Sequence, residues 1–392
     1  MTQVAPLAGY QNRIYLDGLA GRLPGLPLTY EALQERAERQ LSRGAFGYVA
    51  GGAGSEDTVR ANREAFRRWR ILPRMLRDVS QRDLATTVLG TGMPAPLLLA
   101  PVGVQSIVHA DAEVAVARAA AATGVPMVLS TASSRSLEEV AEAQGGNPRW
   151  FQLYWPRDPD LAASLLGRAE RAGYGAIVVT LDTWLLAWRP RDLELAYLPF
   201  LQGEGLANYL SDPVFRAALS SPPEEDMFGA VRHFLGIFSD PSVTWANLSF
   251  LRENTRLPIV LKGILHPDDA RRAVDHGVDG ILVSNHGGRQ VDGSIAALDA
   301  LPGVVDAVPE SLPVLFDSGV RTAADAFVAL ALGARAVLLG RPYIWALAVA
   351  GEEGVAELLR CFLAELDLTF ALSGHTRLDQ VGRDALAPAP RF

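Results

Sequence analysis

The chain has 392 residues, with 36 Lys and Arg against 44 Asp and Glu, a formal net charge of −8. Hydrophobic residues make up 49% and charged residues 20%, the balance of a globular protein with ample length for a buried core rather than of a disordered one. The acidic excess argues against a broad nucleic-acid face, and a single cysteine, Cys361, excludes an intramolecular disulfide and any multi-cysteine metal site.

The first residues carry Gln3, Gln11, Asn12 and Arg13 and no apolar core of a signal peptide. Nor is any apolar run long enough to cross a membrane; the best, residues 342–350, is too short. A cytoplasmic protein with no membrane partner is the default expectation. The first 95 residues read as a helical extension, with helical patterns at 30–41 and 55–68. Tyr48 lies within this part, ahead of the barrel, in a Gly-rich turn, Phe46-Gly47-Tyr48-Val49-Ala50-Gly51-Gly52. Taken by itself, an aromatic there is more often packing than chemistry.

Eight short apolar runs follow, at 96–102, 126–131, 149–155, 176–182, 258–264, 280–286, 313–319 and 336–342. Their length and Val, Ile, Leu and Phe content suit strands buried on both faces of a parallel sheet. Helical segments separate them. Residues 112–122 follow Asp111, an expected N-cap, and Ser136 with Glu139 forms a capping box. A pattern at 161–172 closes on Gly173, Pro267 opens a helix ending at Gly277, and 322–332 closes on Gly333. Strand and helix thus alternate eight times. After the fourth strand comes an insertion at about 193–241, long enough to be a lid or a partner surface.

Eight such units predict an α/β fold, a (βα)8 TIM barrel at residues 96–392 behind the extension at 1–95. An open doubly wound sheet would give the same spacing. What favours a barrel is that nearly every strand carries chemistry at its C-terminal end, where only a closed barrel gathers all eight ends around one pocket. Asp317-Ser318-Gly319-Val320-Arg321 and Gly340-Arg341 follow the seventh and eighth strands, the usual place for a phosphate in barrels; glycine admits backbone N–H groups and arginine adds charge. No Gly-x-Gly-x-x-Gly follows a strand and there is no P-loop.

Ser284-Asn285-His286-Gly287-Gly288-Arg289-Gln290 ends the sixth strand. A histidine three residues before an arginine can pair a base with a carboxylate clamp. Asp182 could orient that histidine, and Arg189, with Arg191 as its rival, could supply a second cation. Lys262 lies inside an apolar strand, where a lysine needs a partner anion. His109, His233, His266, His276 and His375 show no metal-ligand spacing, so no metal is expected.

On these residues the sequence resembles the FMN-dependent L-2-hydroxy acid oxidase and dehydrogenase family. The likeness runs from Tyr48 to Pro342 through Ala100-Pro101-Val102-Gly103, Phe151-Gln152-Leu153-Tyr154, Leu261-Lys262-Gly263 and the Ser284–Gln290 motif. Thr180-Leu181-Asp182-Thr183-Trp184, Asn208-Tyr209-Leu210-Ser211-Asp212 and the long insertion are most similar to the family's lactate 2-monooxygenase branch. The resemblance implies FMN as cofactor, a small L-2-hydroxy acid and O2 as partners, and a homo-oligomer of four or more copies. It implies His286 as base paired with Asp182, and Arg289, Arg189, Tyr154 and Tyr48 around the acid. Pro101, Val102, Gly103, Ser130, Gln152, Thr180, Lys262 and Ser284 would line the flavin and its ribityl chain. Asp317, Ser318, Gly319, Val320, Arg321, Gly340 and Arg341 would hold ribityl and phosphate. L-lactate oxidised to acetate, CO2 and water is the expected reaction; a 2-keto acid with H2O2, or a quinone-linked dehydrogenase, remain its alternatives. Gly103 matches the monooxygenase branch where many members have alanine, Ala132 replaces the bulky aromatic of glycolate oxidase, and Ser318 replaces a frequent glycine.

Overall fold

The computed structural model describes residues 7–390. Among these, eight parallel strands close into a barrel: β1 (Leu97–Leu99), β2 (Met127–Ser130), β3 (Arg149–Leu153), β4 (Ile177–Thr180), β5 (Ile259–Lys262), β6 (Gly280–Val283), β7 (Val314–Phe316) and β8 (Ala336–Leu339). Each coincides with one of the eight apolar runs. Closure, with β8 beside β1, decides for the barrel over the open sheet.

The strand period of two sorts the side chains. Leu98, Val128, Trp150, Val178, Val260, Leu282, Leu315 and Leu338 face one another and form the barrel's inner core. Their neighbours, such as Leu97, Leu129, Phe151, Val179 and Leu261, pack outward against the helices. Two residues further along each strand, the inward positions are Ala100, Ser130, Gln152, Thr180, Lys262, Ser284, Asp317 and Gly340. Polar side chains therefore replace apolar ones at one depth, at the C-terminal mouth.

A hairpin, Thr86–Val88 with Thr91–Met93, closes the other end; Val88 and Met93 join the inner core and Trp150 Nε1 donates to Thr91 Oγ1 at 2.8 Å. The N-terminal extension is thus helical only in part, because a barrel floor needs an apolar plug. Its helices Tyr30–Gln40 and Asp57–Arg67 match the expected patterns, and Tyr48 sits on a further helix, Arg43–Ala50, rather than in a turn. The strand Trp69–Ile71 pairs antiparallel with Leu386–Pro388 near the other end of the chain.

The capping box of Ser136 and Glu139 forms as expected. Asp111, by contrast, does not cap its helix with its side chain; the backbone is already wound there, with Ala112 N donating to His109 O. The insertion carries four short helices, Pro190–Glu194, Ala207–Leu210, Pro213–Ala217 and Met227–Ile237, around Phe200, Tyr209, Phe215 and Phe234. No described helix is long and apolar enough to cross a membrane.

Candidate active site

The mouth of the barrel opens into a cleft. Ala100, Lys262, Asp317 and Gly340 of the inward layer line it; Ser130, Gln152, Thr180 and Ser284 are buried and do not. Ser130 Oγ donates to Gln152 Oε1 at 3.0 Å, and Gln152 Nε2 donates to Thr180 Oγ1 at 2.9 Å. Lys262 Nζ donates to Ser284 Oγ at 2.9 Å and lies 3.5 Å from Asp182 and 3.8 Å from Asp317. Burial works against the ammonium, but the two carboxylates outweigh it and hold Lys262 above its ordinary value. Two carboxylates answer the sequence's question about a buried lysine.

His286 stands at the sixth strand's end, at φ +57, a left-handed conformation that non-glycine residues seldom adopt and that is often kept at functional sites. Its turn is latched from below: Asn285 and Asn62 exchange amide hydrogen bonds at 2.8 Å. His286 Nδ1 lies 2.7 Å from Asp182 Oδ1 and 3.2 Å from Thr183 Oγ1. Burial lowers the imidazole's pKa, and Lys262 adds to this; the opposing pull of Asp182 is not enough, so the ring sits below its ordinary value and is neutral near pH 7. For Asp182, burial would raise the pKa, but Lys262 and His286 reverse this and keep the carboxylate ionised. A neutral imidazole oriented by a carboxylate is competent to accept a proton.

Two cations flank this pair. Arg189 is buried, 6% exposed; its Nε donates to Arg289 O and its Nη2 to Gln290 Oε1 at 2.6 Å. Arg289 reaches the carbonyls of Tyr48 and Gly51 and lies over the Tyr48 ring at 5.1 Å. Burial, with Arg189 beside it, pushes the Arg289 guanidinium down to about 10. Arg189 lines the cleft, whereas its rival Arg191 does not and pairs with Glu56. Tyr154 also lines the cleft, with its hydroxyl pKa raised by burial and by Asp182.

At the far end, Asp317, Ser318, Gly319, Val320, Arg321, Gly340 and Arg341 line the same cleft, as do Pro101, Val102 and Gly103. Arg341 donates to the carbonyls of Val49, Gly51 and Gly287, and Arg321 lies over the Tyr30 ring at 4.2 Å. Burial, then Arg321 and Arg289, push Arg341 down to about 9. Among the described residues, no carboxylate lies within ion-pairing distance of Arg189, Arg289, Arg321 or Arg341, whereas Arg168, as buried as Arg189, has two. A cleft that gathers buried and half-buried guanidiniums, bonded to carbonyls but to no carboxylate, is built for anions.

Sequence reasoning did not single out Gln290, which fixes Arg189 and also donates to Asp182 O at 2.7 Å, nor Thr183 as a partner of His286. Both lay beside predicted residues, but neither type signals its partner without the fold. Phe200 and Phe238 of the insertion also line the cleft; the length of the insertion did not say where its aromatics would go. Among the described residues no cluster of His, Cys, Asp and Glu could hold a metal ion.

The family model described as "FMN-dependent dehydrogenase" matches residues 37–388. The chain is 46% identical to an FMN-dependent alpha-hydroxy acid dehydrogenase of Penicillium citrinum, over 96% of this chain and 95% of that one. It is 43% identical to an L-lactate oxidase of Lysinibacillus sphaericus, covering 93% and 94%. The crystal structure of a mandelate oxidase superposes with a TM-score of 0.82 at 39% identity, covering 93% and 98%. FMN fits the residues present: a polar inward layer with a buried ammonium for the ring and ribityl chain, and two arginines without carboxylates beside a glycine-bearing turn for the phosphate.

Proposed function

We propose, since the chain belongs to the family of FMN-dependent dehydrogenases, that this 2-hydroxy acid oxidoreductase acts on L-lactate with O2 and yields acetate, CO2 and water. The observation that carries the reading is the neutral His286, 2.7 Å from the ionised Asp182 and flanked by two arginines free of carboxylates. Arg189 and Arg289 would bind the acid's carboxylate by charge-assisted hydrogen bonds. Tyr48 and Tyr154 would complete the cage. Held so, the carbon bearing the hydroxyl faces His286, which takes the proton at its free Nε2 while Asp182 stabilises the resulting imidazolium through Nδ1.

Bound FMN would supply the two-electron acceptor that O2 can reoxidise. Lys262, Ser130, Gln152, Thr180 and Ser284, with Pro101, Val102 and Gly103, would hold its ring and ribityl chain. Asp317 to Arg321, Gly340 and Arg341 would hold its ribityl and phosphate.

Support for the decarboxylating outcome is the crowding beside the cleft. A Cβ on Gly103 would lie 2.6 Å from the Ala132 carbonyl oxygen, and Phe200 and Phe238 wall the opening from the insertion. A covered cleft that releases pyruvate slowly keeps it beside the peroxide formed from O2. The insertion, at about 193–241, is in this reading the lid. A second reading, an oxidase that frees pyruvate and H2O2, is favoured by the L-lactate oxidase relatives. We place the enzyme in the cytoplasm as an oligomer of four or more copies, which its mass in solution checks.

A product assay decides. The purified holoenzyme is given L-lactate in air, and acetate, pyruvate and H2O2 are quantified together. Acetate without peroxide is expected. Equal pyruvate and peroxide would establish the oxidase, and flavin bleaching without either product would overturn use of O2.

A further inference from the structure

Ser318 stands where the backbone has φ +84, in the left-handed region that favours glycine. A serine there is disfavoured by its Cβ, so the side chain must return something a glycine could not. Its hydroxyl is buried, 7% exposed, and is fully engaged. It accepts the backbone N–H of Asn285 at 3.3 Å and of Gly287 at 3.1 Å, and it donates to Asp317 Oδ1 at 2.8 Å. Asn285 and Gly287 are the two residues on either side of His286.

We propose that Ser318 is a positioning residue for the catalytic base: from the seventh strand's loop it grips the two amides that flank His286 and holds the left-handed turn that aims the imidazole at Asp182. The proposal rests on the reading of His286 as base. The other supports of the turn act elsewhere. Ser284 Oγ accepts the amide of His286 itself at 3.0 Å, Asn62 latches Asn285 through its side chain, and Arg341 Nη1 donates to Gly287 O at 3.0 Å. Ser318 alone, among the described residues, bonds both neighbouring amides, and through Asp317 it joins the turn to the carboxylate that faces Lys262. Base, ammonium and the seventh loop are thereby fixed as one unit. The Ser318 hydroxyl bonds neither His286 nor Lys262, so its effect on the base runs through placement, apart from the contact its loop would make with the cofactor.

The test separates positioning from stability by two variants. Ser318→Gly removes the hydroxyl and relieves the backbone; Ser318→Ala removes the hydroxyl and keeps the disfavoured φ. For both holoenzymes the limiting rate of anaerobic flavin bleaching by L-lactate is measured, together with KM and the melting temperatures with and without FMN. The bleaching rate is expected to fall by about tenfold in both, with KM within about threefold, while Ser318→Gly melts at or above wild type and Ser318→Ala below it. Rates that follow the melting temperatures, or that stay at wild type in both, would overturn the proposal. His286→Gln is the control for the underlying reading: wild-type bleaching with an inert His286→Gln keeps His286 as base, and normal bleaching of His286→Gln removes both readings together.

Discussion

At the scale of single residues, the site turns on which groups are charged. His286 is neutral because burial and Lys262 outweigh Asp182. The base is then active above its folded pKa and lost as pH falls through it, so kcat/KM should be flat at neutral pH and decline below pH 6.5, the ordinary value for histidine. Asp182→Asn removes the carboxylate that holds the imidazole's pKa up, so the declining limb should move to lower pH while kcat drops by about a hundredfold or more. A limb that moves upward would show that Asp182 does not act on His286 in this way. Arg289→Met removes a cation that has carbonyls but no carboxylate as partners. KM for L-lactate should rise about tenfold or more, since hydrogen bonds to charged groups contribute ~1.5–3 kcal/mol. Arg191→Met, whose cation pairs with Glu56, should leave KM within about twofold. The rivalry between Arg189 and Arg191 was open in the sequence because both lie within three residues of each other; only the fold turns one inward.

At the scale of elements, the loops after β1 and β2 depend on a carboxyl from the helix Ala112–Thr123. Glu113 is fully buried, and its Oε1 accepts the amides of Gln105 and Ser134, at 3.2 and 3.1 Å. Desolvation, only partly opposed by these bonds, raises its pKa from 4.5 to about 7. The folded protein then holds this proton more tightly than the unfolded chain does. Its stabilising effect is present below pH 4.5 and is lost as pH rises to about 7. Glu113→Gln keeps an acceptor for both amides without a charge to bury. It should melt higher than wild type at pH 8, by on the order of 1–3 kcal/mol, with the difference shrinking toward pH 5; a constant difference would show that Glu113 does not titrate in this window. The insertion is tied to the second loop by another buried side chain. Asn208 Oδ1 accepts the amide of Leu137 at 2.8 Å, and its Nδ2 donates to Thr131 O at 3.0 Å. Neither tie was legible in the sequence. Glu113 sits in an Ala-rich helix with nothing to mark it, Asn208 was noted only for the resemblance its segment carries, and only long-range packing turns the two inward.

At the scale of the whole molecule, the barrel was legible because each strand is buried on both faces and so reads as an unbroken apolar run. The residues at its mouth were legible because the same period places them two positions beyond the core. The barrel floor was not, since the hairpin at 86–93 is short and has its meaning only against Trp150. What unites the molecule is the cofactor end of the cleft, where Tyr30 and Val49, from the extension, meet Arg321 and Arg341, from the last third of the chain. Without an anion these guanidiniums repel one another, and burial adds to the penalty. FMN binding should therefore act on global stability. The melting temperature should climb with FMN concentration, by an amount equivalent to about 2.7 kcal/mol at a hundred times Kd. Arg321→Leu tests the cause. Among the described residues the Arg321 guanidinium donates only to its neighbour Val320 O and stacks on Tyr30, so its loss removes repulsion without removing a long-range hydrogen bond. The variant should bind FMN about tenfold more weakly or worse, yet its apoprotein should melt no lower than wild-type apoprotein. Unchanged FMN affinity would take Arg321 out of the phosphate site, and a less stable apoprotein would mean that Arg321 holds the fold together even without the anion.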